Sequence, residues 1–261
     1  MYKNVKIQRF TLHENARDDF DSEADFDLID GFKDFVAPYI FTDILMTDWH
    51  DSIEKAFQSR LQILMSSVLL RALLLKNGLV ISLNENNFPS FYADLKSFLE
   101  VPALLGYLTY EIYHDSDYNS LIPKINKISL GNRSAGNFEV GTVKQLSVLT
   151  MFEKFDRVIK DMAVSDHKIT VQEEGILKTM YEDVCNFGHI NYNAHLSIGR
   201  LGLDNIWRAK RDVDGYKEEL YGFYMPGFIM AIEAIFLSTS LIMRNPKVKN
   251  FSLLTNQSYF I

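Results

Sequence analysis

Between Ile53 and Lys76 the apolar side chains recur at spacings of four and three, through Phe57, Leu61, Leu64, Val68 and Leu75, with Arg71 in the same series. That period is the signature of an α-helix. Ile63, Leu70 and Leu74 fall on the other side, so the helix is expected to be enclosed on most of its faces and to end at Asn77-Gly78. A second stretch, Gly227 to Met243, is as apolar, with Glu233 near its middle and Asn245-Pro246 as its stop. Both must be tested as membrane spans, and each is too short or too charged to fit one well, because a charge at mid-bilayer costs several kcal/mol. They are read as core helices of a water-soluble bundle, with no membrane insertion.

The remaining pattern is helical too. Pro89 is placed as a first-turn proline for a helix through Glu100, and Pro102 as the start of another that carries Leu104, Leu105, Leu108 and Ile112. From Thr142 to Met162 a further amphipathic helix is expected, followed by one that Thr170 and Glu173 open as a capping box. Residues 115–141 read as a long polar loop. The alternation of strands and helices that a doubly wound sheet needs is missing. The expectation is therefore an all-α, multi-helix bundle of about seven or eight helices, with room for a short N-terminal strand around Val5 to Arg9. Residues 1–50 form an N-terminal arm with an acidic segment and a first helix, and 51–261 the helical bundle, together one domain.

With 19 Phe and 13 Tyr among 261 residues the chain has apolar area enough to fold without disulfide or metal. Its single cysteine, Cys185, cannot close an intramolecular disulfide and removes the zinc motifs that need two thiols. The N-terminus lacks the apolar run of a signal peptide, so the cytoplasm is the expected compartment. No metal and no cofactor is implied. The carboxylates of Asp18 to Asp30 do not follow the calcium-loop order, and GNRSAGNFEVG at 131–141 lacks the Lys-Ser/Thr pair of a phosphate loop. A net charge of -7 argues against a surface given over to phosphate binding, which leaves Arg200, Arg208, Lys210 and Arg211 around Trp207 as a local phosphate-binding candidate beside the plainer reading of a solvated helix face.

Two constellations could carry chemistry. Tyr181, Cys185 and His189 recur at i and i+4, so they share one stripe of the capped helix, with Asn191 and His195 just beyond. A thiol beside an imidazole can act as nucleophile and base, or ligate zinc with His195 as a third ligand though without a recognised spacing, or the two can be a buried hydrophobe and a helix-end hydrogen bond. Arg71 and Glu233 are the other pair: lone charges in apolar helices need partners, either each other or Glu111, or Arg71 faces the His189 cleft and offers its guanidinium to a phosphate. His114 lies near Glu111 at the end of its helix.

SSVLLRALLLKNG followed later by YEDVCNFGHINYNAH resembles a pattern in bacterial helical proteins related to the HEPN superfamily, in which an Arg in a Leu-rich helix is followed by a Tyr-x-x-Leu-Cys-like helix end and His-Pro-Asn. The matching positions are Arg71, Tyr181, Cys185, His189 and Asn191, with Ile190 where proline is common. The resemblance implies a dimeric RNA-targeting or defence effector, with a metal-independent ribonuclease activity in which His189 moves protons, Arg71 stabilises the phosphorane and Asn191 assists. The superfamily's Arg-x4-6-His motif is missing here, because no Arg precedes His189 or His195 at that spacing. The alternative is a non-catalytic helical binding or scaffold protein, acting through protein-protein contacts, with its polar groups mutually satisfied and an apolar patch exposed elsewhere.

Overall fold

A computed structural model describes residues 10–14, 23–41, 44, 50, 52–115, 117–130, 147–166, 175–188, 199–201, 204, 206–209 and 220–248, and all that follows concerns these. The protein is an all-α multi-helix bundle. Among the described residues there are seven α-helices, here α1 (Glu23–Val36), α2 (Ile53–Asn84), α3 (Phe88–His114), α4 (Tyr118–Leu130), α5 (Val148–Asp166), α6 (Ile176–Gly188) and α7 (Met225–Arg244). A short two-stranded antiparallel ribbon joins β1 (Gly199–Leu201) to β2 (Trp207–Ala209), with Arg200 directly across from Arg208. These two basic residues therefore lie on strands, not on the solvated helix the sequence suggested. The expected N-terminal strand, the glycine-rich run 131–141, the Thr170 capping box, His189, Asn191, His195, Lys210 and Arg211 lie outside the described residues.

Helix α3 is the hub, packed against α2, α5, α6 and α7, while α1 lies on α7 and α2. Aromatic rings lock three of these elements together: Phe98 of α3 meets Phe32 of α1 at 6.0 Å and Phe228 of α7 at 5.3 Å. One continuous apolar core runs from Phe26 in α1 to Ile242 in α7.

Three boundaries differ from the sequence expectation, each for a packing reason. Helix α2 does not stop at Asn77-Gly78 but runs on to Asn84. Asn77 is buried, and Gly78 is the point at which α3 comes closest, since a Cβ there would lie 2.5 Å from the Asp94 carboxylate. On either side of it the helix is held by the chain's own N-terminal segment: the fully buried Lys76 donates to the Phe10 carbonyl at 2.9 Å, and Asn84 donates to the Thr11 carbonyl while accepting from His13 N-H. Pro102 likewise does not divide two helices. It sits inside α3, where the lost backbone bond is outweighed by the buried Phe98, Leu99, Val101, Ala103 and Leu105 on either side. The polar loop expected at 115–141 contains α4, whose Leu121, Ile122 and Ile125 are buried and carry Pro123 inside the helix.

Helices α2 and α7 each leave one narrow stripe in water. Past its first turn the exposed positions of α2 are Ser67, Arg71, Leu74 and Ile81, and on α7 they include Pro226, Glu233 and Arg244. This is why two helices that read as apolar on nearly all faces can each carry a charge: the charge occupies the strip that surfaces. By length and composition alone both could cross a membrane, and more than half of the most apolar stretch of each is buried against the rest of the chain.

Candidate functional site

The sequence placed Arg71, Glu111, His189 and Glu233 in one question; His189 lies outside the described residues, and the structure separates the other three. Glu233 is exposed on α7, so the expectation of a buried charge there is corrected. Arg71, also exposed, reaches across to α3 and binds Glu100 with Nη2 3.2 Å from Oε2. Glu111 is the buried one, and its partners are neither Arg71 nor Glu233.

Glu111 lies in the last turn of α3, where α4 and α5 converge on it. Lys124 of α4 reaches one carboxylate oxygen at 2.5 Å, and Lys154 of α5 lies 3.7 Å from the other. One turn back, the Tyr107 hydroxyl hydrogen-bonds the same carboxylate, and burial together with the charge of Glu111 pushes this phenol up to about 12. Burial alone would lower Lys124, but its hydrogen bonds to Glu111 and Asp115 outweigh that and raise it. Lys154 also sits 3.7 Å over the Tyr110 ring, Tyr110 stacks on His114, and His114 Nε2 is 3.3 Å from Asp161 of α5. A carboxylate held by two ammonium groups and a phenol has its lone pairs occupied. It ties three helices together.

The end of α3 is closed with equal care. Lys247, just past α7, donates to the carbonyls of Ile112 and Asp115 at 2.6 Å each, filling acceptors that a helix C-terminus leaves open. Asp115 accepts from Ser120 Oγ, from Asp117 N-H and from Lys124, and these bonds lower its pKa from 3.8 to about 2. Because the folded value lies below the ordinary one, the fold favours the ionised form: its contribution is complete above the ordinary value and is lost as pH falls towards the lower one. Asp115→Asn is therefore expected to cost about 1 kcal/mol at neutral pH, allowing for screening, and almost nothing near the lower value, a difference that urea unfolding at several pH values will read.

The second polar group gathers around Glu100. Besides Arg71 it meets the Tyr181 hydroxyl at 3.5 Å, and Tyr181 in turn hydrogen-bonds Cys185 one turn along α6. Burial first, then the neighbouring Cys185 and Glu100, raises the Tyr181 phenol. Tyr181 and Cys185 do share a stripe, and Glu100, which sequence reasoning did not single out, joins that stripe to Arg71. Cys185 is a free, partly exposed thiol. Among the described residues no cluster of three or more His, Cys, Asp or Glu could hold a metal ion.

Comparisons of the chain with family models, with curated proteins and with solved structures found no match.

Proposed function

We propose that this chain is a non-catalytic helical binding protein that acts through contacts with other proteins in the cytoplasm. One observation supports this reading: two of the charged groups the sequence offers for chemistry are engaged within the bundle, Glu111 by Lys124 and Lys154 and Arg71 by Glu100, while Leu74 and Ile81 stand exposed on α2. A general acid or base needs a free lone pair or proton, and a phosphorane-stabilising arginine needs its guanidinium free for the substrate. A binding protein needs neither. It needs satisfied charges that hold the scaffold rigid and apolar area left over at the surface.

The competing reading is the HEPN-like ribonuclease, dimeric and RNA-targeting, with His189, Asn191 and Arg71 as its machinery. The two part at the bench. The purified chain and its His189→Ala variant, incubated with labelled structured RNA, are expected to leave the RNA intact alike. Cleavage by the parent chain that His189→Ala abolishes would overturn the binding reading in favour of the nuclease.

A further inference from the structure

We infer that the outer face of α2 from Leu74 to Ile81, with Asp94 of α3 beside it, is a docking surface for a basic amphipathic segment of another protein, a lysine or arginine flanked by apolar side chains. The inference rests on the binding reading above and gives it a place and a partner chemistry.

Leu74 and Ile81 are 55% and 41% exposed, two of the few large apolar side chains among the described residues that stand in water. They are seven residues apart, so they share one face, with Gly78 between them on the same face. Gly78 has no side chain to fill that middle position, and the Asp94 carboxylate of the neighbouring helix takes the space, so close that a Cβ would meet its Oδ2 at 2.5 Å. The result is a carboxylate set between two exposed apolar side chains.

Asp94 differs from the acids discussed above. Glu100, Glu111, Asp115 and Asp161 each have a cation or donor, whereas Asp94 has no hydrogen bond and no ion pair among the described residues. It is half-buried nonetheless, and burial alone raises its pKa. A carboxylate that has given up water without gaining a partner is an unfavourable arrangement within the isolated chain. A cation delivered from outside would reverse that cost, and apolar neighbours on the same incoming segment would cover Leu74 and Ile81. The charge of the whole chain, -7, draws a basic partner in the same sense.

The neighbouring elements limit where that segment can lie. At the Arg71 end the face turns polar, because Arg71 is bound to Glu100 and Tyr181 of α6 bonds the same carboxylate. The open length runs from Leu74 towards Ile81. A second copy of the chain suits the surface less well: a two-fold interface centred here would bring Asp94 towards its own equivalent, and the one cation of the stripe, Arg71, is already bound.

The test uses the full chain and two synthetic helical peptides of leucine and alanine, one with a single lysine in its apolar face and the other with glutamate at that position. Titrations are followed by fluorescence anisotropy. The lysine peptide is expected to bind the parent chain, and Asp94→Asn, Leu74→Ser and Ile81→Ser each to weaken it about tenfold. Glu182→Gln, which removes an exposed carboxylate on α6, is expected to leave binding unchanged, separating the site from general attraction to an acidic protein. Circular dichroism confirms that each variant is folded. The proposal is overturned if the lysine peptide does not bind, if the glutamate peptide binds equally well, or if Asp94→Asn binds as the parent does. It is also overturned if sedimentation shows that the chain self-associates through this face and Leu74→Ser disperses it, since the occupant is then a second copy. None of these outcomes touches the non-catalytic reading, which falls only on His189-dependent cleavage of RNA.

Discussion

Gly106→Ala is expected to destabilise the protein by roughly 2 kcal/mol, although helix propensity taken alone favours alanine over glycine by about 1 kcal/mol. Gly106 lies inside α3 where α5 packs most tightly, and a Cβ added there would press on the Phe155 ring and come within 2.5 Å of the Phe155 Cβ. A ring can rotate, but a Cβ is fixed to its backbone, so α5 itself must move away, and the buried contacts of Phe152 and Phe155 go with it. Two other glycines separate the steric effect from the conformational one. At Gly31 in α1 a Cβ meets nothing within 4 Å, so Gly31→Ala is expected to stabilise by roughly 0.5–1 kcal/mol. At Gly227 the obstacle is the thioether end of Met180, which can swing aside, and the loss should fall between the other two. Urea unfolding of the three variants reads the order directly; a Gly106→Ala chain as stable as the parent would mean that α3 and α5 do not pack as closely as described.

The same close packing explains which parts of the fold were legible in the sequence. The apolar period of α2 and the stop of α7 at Asn245-Pro246 could be read because they follow from local geometry, one turn at a time. Pro102 and Asn77-Gly78 misled for the same reason. Locally each is a helix breaker, but here each lies within a helix that the tertiary contacts hold, α3 through its buried flanks and α2 through Lys76, Asn84 and the segment at Phe10 to His13. The helix α4 was hidden in a stretch taken as loop because its buried residues, Leu121, Ile122 and Ile125, are few and sit beside Pro123.

The candidate site was less legible than the fold. Arg71, Tyr181 and Cys185 were chosen from sequence, but the residue that connects them, Glu100, lies on a third helix and gives no signal in the one-dimensional pattern. Glu233 was expected to be buried because its neighbours in sequence are apolar, yet a helix side chain is buried by what lies across from it, and Glu233 falls on the strip of α7 that surfaces. Asp94 attracted no notice at all. It becomes conspicuous only when the carboxylates around it are found paired.

Glu111→Leu is expected to cost about 2 kcal/mol, and the size of that loss tests whether this carboxylate is structural. Removing one member of a fully buried ion pair costs roughly 3–5 kcal/mol, because the charge left behind has no counterpart. Here the loss should be smaller. Lys124 keeps Asp115 at 2.9 Å, and Lys154 keeps the Tyr110 ring at 3.7 Å, with their side chains 36% and 26% exposed. What disappears is the ion pair between Glu111 of α3 and Lys154 of α5, together with the acceptor of the buried Tyr107 hydroxyl. Adding Lys154→Met to Glu111→Leu removes the ammonium that has lost its carboxylate, and the double variant is expected to recover at least half of the lost stability, a coupling that a double-mutant cycle measures. Tyr107 supplies a second readout, since its phenol should titrate below the value of about 12 once the adjacent charge is gone, while burial still holds it above an ordinary tyrosine. A Glu111→Leu chain that is fully stable but loses binding of the lysine peptide would assign this carboxylate to recognition. Loss of stability with peptide binding intact, the result expected here, assigns it to the scaffold on which the α2 face is displayed.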